Sequence, residues 1–409
     1  MQSRLFINKL FHDYYSSEGC GVVAPRIIEK REFGFISFDN VMVRHKAFAN
    51  QNELRNFLKE FVPSDAYYSC AYYGDPKAEM DKKGWLGADL IFDIDADHIP
   101  TQCDKVHDYW TCGACGFSGK GIAPDKCPIC GKEKFDVNTW PCEVCLQSAK
   151  EETIKVLDML MNNFGFSDKE THVFFSGHRG YHVHVENEAV QMLDTVARKE
   201  IVDYCCGLGF NFFFHGLDEK YQEGSPTLHA RPSDFGWRKR LTLGLQHFIQ
   251  KAEEDDLKRI GLKSNVSNAI LRNKESVLKF WSDGKAFGRI KGVSVESWRK
   301  IIEYVVKLES AKIDTVVTTD VHRLIRLADT LHGKTGLKKV EFPASAIDSF
   351  DPFKDAVVFK SGEVKVHVSD APSFRIGDET FGPYKNQEAE LPTAAAVLLV
   401  CKNRAEVVS

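Results

Sequence analysis

Apolar and polar positions along this chain follow two rhythms. The first sixteen or so residues have a helical period, after which "REFGFISF" and "VMVRHKAF" alternate like strands and "NQNELRNFLKEF" returns to a helical pattern. A strand is expected over 88–95, where an apolar run leads into acidic residues. From Leu146 to Phe164, Ile154, Leu157, Leu160, Met161 and Phe164 recur at helical spacing. "THVFFSGHRGYHVHVE" then gives two alternating runs around a glycine-containing turn, the pattern of a hairpin. Residues from about 189 to 310 are mostly helical in pattern, broken by the loop "EGSPTLHARPSDFG". "DTVVTTD" reads as a strand and "VHRLIRLADTLH" as a helix, with Leu324, Leu327 and Leu331 at helical spacing; "GKTGL" then breaks into another strand. No internal repeat or low-complexity tract is visible.

The sharpest local feature is "ADLIFDIDAD", residues 88–97. Read as a strand, it puts Asp93, Asp95 and Asp97 on one face. Crowded carboxylates repel one another unless a cation holds them. An EF-hand is a poor match: starting it at Asp93 puts His98 where the sharp turn needs Gly and Asp104 where a bidentate Glu is usual. A merely solvated strand end normally scatters Lys among its acids, and none occurs between Ala88 and Thr101. The remaining reading is a divalent-metal site in which Asp93 and Asp95 bridge two Mg²⁺ or Mn²⁺ ions ~3.5–4 Å apart, an arrangement suited to nucleotidyl transfer.

Composition narrows the class. Hydrophobic content of 43% and charged content of 27% are ordinary for a globular protein, and 409 residues allow two or three domains. The longest apolar run, Ala394–Cys401, falls far short of the roughly 20 residues a membrane span needs. The first residues are polar too early for a secretory signal, so a cytoplasmic location is expected. A net charge of −4 argues against coating nucleic acid by bulk attraction, leaving local patches such as "GWRKR" and "KTGLKK".

Twelve cysteines in a reducing compartment suggest metal ligands and buried thiols before disulfides. Cys112/Cys115 and Cys127/Cys130 form two C-x-x-C pairs, each followed by Gly and separated by eleven residues, the spacing of a zinc ribbon. A third pair, Cys142/Cys145, lacks two ligands, which Cys103 and His107 can supply. Two structural Zn²⁺ sites are expected, one inserted within the other. Four protein ligands leave no open position for catalysis.

The hairpin turn carries Ser176, His178 and Arg179, and its second strand carries His182 and His184. A hydroxyl, an arginine and several imidazoles gathered at one place suit anionic oxygens. Arg323, Arg326, His332 and Lys334 add cationic groups late in the chain. "GKTG" is not a P-loop, because Ala328 stands where the first Gly is required and a strand follows.

In this order, "FDID" (Phe92–Asp95), the zinc knuckle after it, "SGHRGYH" (Ser176–His182) and "HRLIRLADTLHGKTGL" (His322–Leu337) resemble the small catalytic subunit of the archaeo-eukaryotic DNA primases. "REF" (Arg31–Phe33) and "VRHKAF" (Val43–Phe48) match as well, and the likeness runs to about residue 385. The sequence departs from the family pattern in having His184 where Trp is frequent, His178 where some members have Arg, and Ala328 for a common Pro or Ser.

The resemblance implies a mixed α/β fold, a core of β-sheets with flanking helices. It would span 1–185 and 313–385, with the zinc element at 103–145, a mostly helical insertion at 186–312 and a helical C-terminal segment at 386–409. It implies that Asp93, Asp95 and Asp314 hold the catalytic Mg²⁺ or Mn²⁺; Asp314, eighteen residues before His332, is favoured over Asp320. It assigns Ser176, Arg179, His182, Arg326 and His332 to the nucleotide triphosphate. Cys103, His107, Cys142 and Cys145 become the family's zinc site, and the ribbon at Cys112–Cys130 looks like an archaeal insertion. The implied activity is primer synthesis from nucleoside triphosphates on single-stranded DNA, in partnership with a large subunit carrying an iron–sulfur domain and without a membrane. Two rivals remain: a repair polymerase of the same superfamily, which lacks a zinc knuckle here, and a non-catalytic zinc-ribbon protein, which leaves the three carboxylates unexplained.

Overall fold

The computed structural model describes residues 2–211, 234–282 and 290–408; the expected loop at 223–236 lies almost wholly outside them. The fold is mixed α/β, and the chain divides into two compact units. The first comprises 1–154, 167–199 and 312–409, and the second comprises 155–166 and 200–311. The second unit is helical among its described residues; it begins near residue 200, not at 186, and takes in part of the helix Glu143–Asn162.

Two four-stranded antiparallel sheets frame the first unit. One runs Leu324–Arg326, Asp65–Ser69, Phe33–Ile36, Met42–Lys46; the other runs Val340–Phe342, Thr171–Phe175, Gly180–Val185, Leu90–Asp95. Alternation in "REFGFI" turns Phe33 and Phe35 inward, where Phe35 meets Phe57 at 4.6 Å between ring centroids and Phe33 meets Phe48 at 5.1 Å. Phe57 rides on the helix Gln51–Phe61, whose first turn is capped by Asn50 accepting from the Glu53 N–H.

The residues of the "REF" segment hold this framework together. Arg31 is fully buried; it donates to Asp89 at 2.5 Å and to the carbonyls of Ser69 and Cys70, and lies 3.7 Å from the centre of the Tyr72 ring. Glu32, also buried, accepts from Arg44 and the His45 N–H and pairs with Lys83. Asp89 immediately precedes the acidic strand, so Arg31 fixes the root of that strand.

Three expectations are corrected. "VHRLIRLADTLH" is not a helix: Leu324–Arg326 is a short strand added to the edge of Asp65–Ser69, with Arg326 opposite Tyr67. "RLIRL" also alternates, and pairing with a free sheet edge decides between the two periods. "DTVVTTD" contains a helical turn, Thr315–Thr319, because the Asp314 carboxylate accepts from the N–H groups of Val316 and Val317 and overrides the β preference of Val and Thr. The segment 386–409 is not simply helical. The helix Thr393–Cys401 lies between the strands Tyr384–Pro392 and Ala405–Val407, both paired with Glu363–Ala371. That helix is apolar all round because it is buried from Ala395 to Val400. No helix of the described residues is long and apolar enough to cross a membrane.

Candidate active site

The strand Leu90–Asp95 buries Leu90, Phe92 and Ile94 on one face and turns Ile91, Asp93 and Asp95 to the other. It ends at Asp95; Asp97 sits in a short 3-10 turn whose N–H donates to the Asp95 carboxylate at 2.9 Å, so the third aspartate of the motif is not on the strand. The hairpin Thr171–Phe175/Gly180–Val185 lies alongside, with His182 opposite Asp93 and Gly180 opposite Asp95. The approach is tight. A Cβ on Gly180 would lie 2.3 Å from the carbonyl oxygen of Ile94, and Gly177 has φ +87°, so both glycines of "SGHRG" are required by the geometry.

Asp314 enters from the second expected region. Its backbone N–H donates to the Asp93 carbonyl at 2.8 Å, which brings its carboxylate beside the acidic strand. Burial, then the charges of Asp95 and Asp314, push the Asp93 carboxyl up to about 7. Burial and then Asp97 push Asp95 up to about 6, against the Asp97 N–H and Arg179. Crowded, desolvated carboxylates of this kind suit a divalent cation, which would relieve both burdens. Asp320 instead caps the far end of the same helical turn and accepts from the His322 N–H. The expected trio is not the tightest group among the described residues: ligand atoms of Asp95, Asp97 and His178 all lie within 4.8 Å of one another.

The expected cationic and imidazole groups take roles that differ from residue to residue: some meet the acidic motif, and others meet Asp65 in a cleft whose lining does not include Asp93, Asp95 or Asp314. His182 Nε2 is 3.5 Å from Asp93 Oδ1, and its Nδ1 is buried without a hydrogen-bond partner. Burial, then the charges of Lys339, Arg326, His332 and Arg323, hold its pKa well below the ordinary value, so it is a neutral imidazole. Ser176 Oγ accepts from the N–H groups of His178 and Gly180, clamping the turn. Arg179 is buried and donates to Asp97 at 2.7 Å, Asp108 at 2.8 Å and the Cys145 sulfur at 3.1 Å. It therefore ties the hairpin to the zinc knuckle. Arg326 donates to Asp65 at 2.7 Å and to the Tyr67 hydroxyl at 3.3 Å. His332 Nδ1 is 3.7 Å from the same Asp65 oxygen. Asp65, Tyr67, Arg326, His332, Gly333 and Lys334 help line an open cleft of about 1390 Å³.

Both cysteine clusters are assembled. In the first, Cys103, Cys142 and Cys145 sulfurs lie 3.3–3.4 Å apart, and His107 Nε2 is 3.2 Å from Cys142 and 3.7 Å from Cys145. Zinc–sulfur bonds of ~2.3 Å give a tetrahedron with edges of about 3.8 Å, so a modest expansion accommodates the ion. His107 Nδ1 meets Asp108 at 2.6 Å, the carboxylate–histidine pairing that orients a zinc ligand. In the second, Cys112 lies 3.6 Å from Cys130 and Cys115 lies 3.7 Å from Cys127, on a three-stranded ribbon formed by Tyr109–Cys112, Ser118–Lys120 and Phe135–Asn138.

Sequence reasoning missed Asp65, Asp108 and Lys402. Asp65 and Lys402 carry no local motif, since their partners lie 261 and 224 residues away. Asp108 could have been suspected as the acid next to a zinc-ligating histidine.

Comparison with known proteins supplies the class. A family model described as DNA primase small subunit matches residues 136–343. The DNA primase small subunit of Archaeoglobus fulgidus is 34% identical over 414 residues, covering 99% of this chain and 99% of that protein. That of Methanothrix thermoacetophila is 33% identical over 425 residues, covering 98% of each. That of Cenarchaeum symbiosum is 33% identical over 406 residues, again covering 98% of each. The protein is a DNA-directed nucleotidyltransferase. The chain belongs to the DNA primase small subunit family, the catalytic subunits that synthesise primers. The reading as a non-catalytic zinc-ribbon protein falls with that membership.

Proposed function

We propose that the chain joins nucleoside triphosphates on a single-stranded DNA template, with Asp93, Asp95 and Asp314 holding two Mg²⁺ or Mn²⁺ ions. The observation that carries this is the Asp314 N–H docked on the Asp93 carbonyl at 2.8 Å, with both Asp95 and Asp314 raising the Asp93 pKa. Bound divalent ions would lower the pKa of the attacking 3′-hydroxyl and neutralise charge developing on the leaving pyrophosphate.

The protein's own groups bind and orient. Ser176 shapes the turn so that His178 and His182 flank the carboxylates, and His182, neutral and with an unpartnered Nδ1, has a ring nitrogen to spare for substrate. His332 and Lys334 face the cleft beside Arg326 and offer donors to the triphosphate. We assign Arg179 to positioning, because Asp97, Asp108 and Cys145 occupy its guanidinium. Positioning and charge stabilisation do most of the work in such a reaction, so no covalent nucleophile is invoked. Zn²⁺ would occupy Cys103, His107, Cys142 and Cys145 and, separately, Cys112, Cys115, Cys127 and Cys130, as structural ions. A large primase subunit would be the partner, and the cytoplasm the place of action.

Incorporation of labelled ATP and dATP on unprimed single-stranded DNA, with Mg²⁺ or Mn²⁺, tests the proposal. Template-dependent products longer than the input nucleotide, with pyrophosphate released, are expected. No product with either nucleotide, alone or with the large subunit, would overturn it.

A further inference from the structure

The C-terminal helix Thr393–Cys401 ends at Lys402, whose backbone N–H donates to the Leu398 carbonyl and whose side chain is buried. Its Nζ reaches across to the hairpin and meets His178 Nε2 at 2.7 Å. Among the described residues no carboxylate lies within ion-pairing distance of it. A buried ammonium without a counter-ion is costly, and the cost is relieved by loss of the proton or by an arriving anion.

We propose that Lys402 is a positioning residue of the nucleotide site: by donating to His178 Nε2 it fixes the imidazole proton on Nδ1, so that His178 presents an N–H to a phosphate oxygen of the incoming nucleoside triphosphate. This rests on the reading of the hairpin and of Arg326–Lys334 as the triphosphate site.

The protonation logic follows from the neighbours. Burial first, then Lys402, His332, Arg179 and Lys334, hold the His178 pKa well below its ordinary value, so its ring is neutral. A neutral imidazole has one donor and one acceptor nitrogen, so toward Lys402 in its ammonium form, which only donates, Nε2 accepts and Nδ1 carries the proton. Burial, with Lys334 and Arg179, lowers the Lys402 pKa to about 7, opposed by Asp97 and Asp108; an arriving triphosphate favours the ammonium further. The His178 ring centre is 5.0 Å from that of His332, which lines the cleft, and one of its nitrogens lies within 4.8 Å of carboxylate oxygens of Asp95 and Asp97. His178 thus stands between the acidic strand and the cleft, with Lys402 behind it.

The test combines spectroscopy and kinetics. In protein labelled with ¹⁵N-histidine and kept at about pH 6, where Lys402 is charged, the His178 signals, identified among 14 histidines by their loss in His178→Gln, should show the Nδ1–H tautomer. Lys402→Met should raise KM for ATP about tenfold with kcat within about twofold, the scale of one hydrogen bond to an anion lost, while Lys402→Arg should hold KM within about threefold. An Nε2–H tautomer in the unsubstituted protein overturns the proposal even if Lys402→Met fails to fold. So does an unchanged KM in Lys402→Met, or a fall in kcat alone, which would put the effect on the carboxylates. Asp93→Asn separates the two readings. If it still makes primers, the site reading itself fails; if it is inactive while Lys402→Met keeps its KM, only the role of Lys402 is lost.

Discussion

Arg326 Nη1 lies 2.7 Å from Asp65 Oδ1, joining two adjacent strands of the first sheet through a pair that is almost wholly shielded from water. Burial works against the Asp65 charge, but Arg326, His332 and the Gly333 N–H prevail and hold its carboxyl at about 2. Arg326 is the counter-ion of a shielded carboxylate, so it matters to the fold. Arg326→Ala strands a buried carboxylate and should cost ~3–5 kcal/mol. Its melting temperature should fall clearly below that of the unsubstituted protein, in addition to any rise in KM for nucleotide. Removing both charges, as in Arg326→Met with Asp65→Leu, should recover much of the loss. Because the Asp65 pKa is depressed, the pair's contribution is complete above about pH 4 and is lost as pH falls toward about 2. An Arg326→Ala protein that melts with the unsubstituted one would sink this account.

The sequence made the acidic strand, the hairpin and both cysteine clusters legible because each is local: the residues that act together lie within one period or one short spacing. What it hid depends on contacts distant in the chain. Leu324–Arg326 is a strand only because Asp65–Ser69 offers an edge. A local contact accounts for one other miss: the Val and Thr residues after Asp314 coil because its carboxylate caps the N–H groups of Val316 and Val317. Arg179 reads as a phosphate ligand in "SGHRG" until Asp97 and Asp108 are brought against it. Lys402 has no signal at all in the sequence, since its partner belongs to a hairpin far upstream.

Two zinc ions per chain should be found by metal analysis, one for each group of four ligands. Structural zinc contributes on the order of 10 kcal/mol or more of apparent binding free energy in small sites, so losing a ligand should undo its own element. Cys112→Ser should remove one ion and unfold the ribbon. Cys103→Ser should remove the other and also disturb primer synthesis, because Arg179 links the Cys145 sulfur to the hairpin through the same side chain that binds Asp97. A zinc content unchanged by Cys103→Ser would refute the first site while leaving the ribbon intact.

Divalent-ion binding should depend on pH. With Asp93 titrating near 7 and Asp95 near 6, the metal-free folded protein retains protons that the unfolded chain has already released. These two carboxyls therefore erode stability as pH rises from about 4 to about 7, and a bound cation should offset that erosion. The increase in melting temperature on adding Mn²⁺ should be larger at about pH 8 than at about pH 5, and Asp93→Asn should abolish most of the difference. An equal shift at both pH values would mean that the ion binds elsewhere.

Neutralising the carboxylates one at a time gives the most direct test. Asp93→Asn, Asp95→Asn and Asp314→Asn should each abolish primer synthesis with either Mg²⁺ or Mn²⁺. Each should stay folded, since removing a charge from a crowded group is neutral or stabilising by on the order of 1 kcal/mol in the metal-free protein. Asp314→Asn keeps a side-chain oxygen that can still accept from Val316 and Val317, so the helical turn survives and any lost activity reports on the charge. Asp320→Asn is the control: Asp320 caps the opposite end of that turn and is not among the charges that raise the Asp93 pKa, so substantial activity should remain. If Asp320→Asn is inactive while Asp314→Asn still makes primers, the third carboxylate has been misassigned. If Asp93→Asn and Asp95→Asn both make primers, the acidic strand is not the catalytic centre.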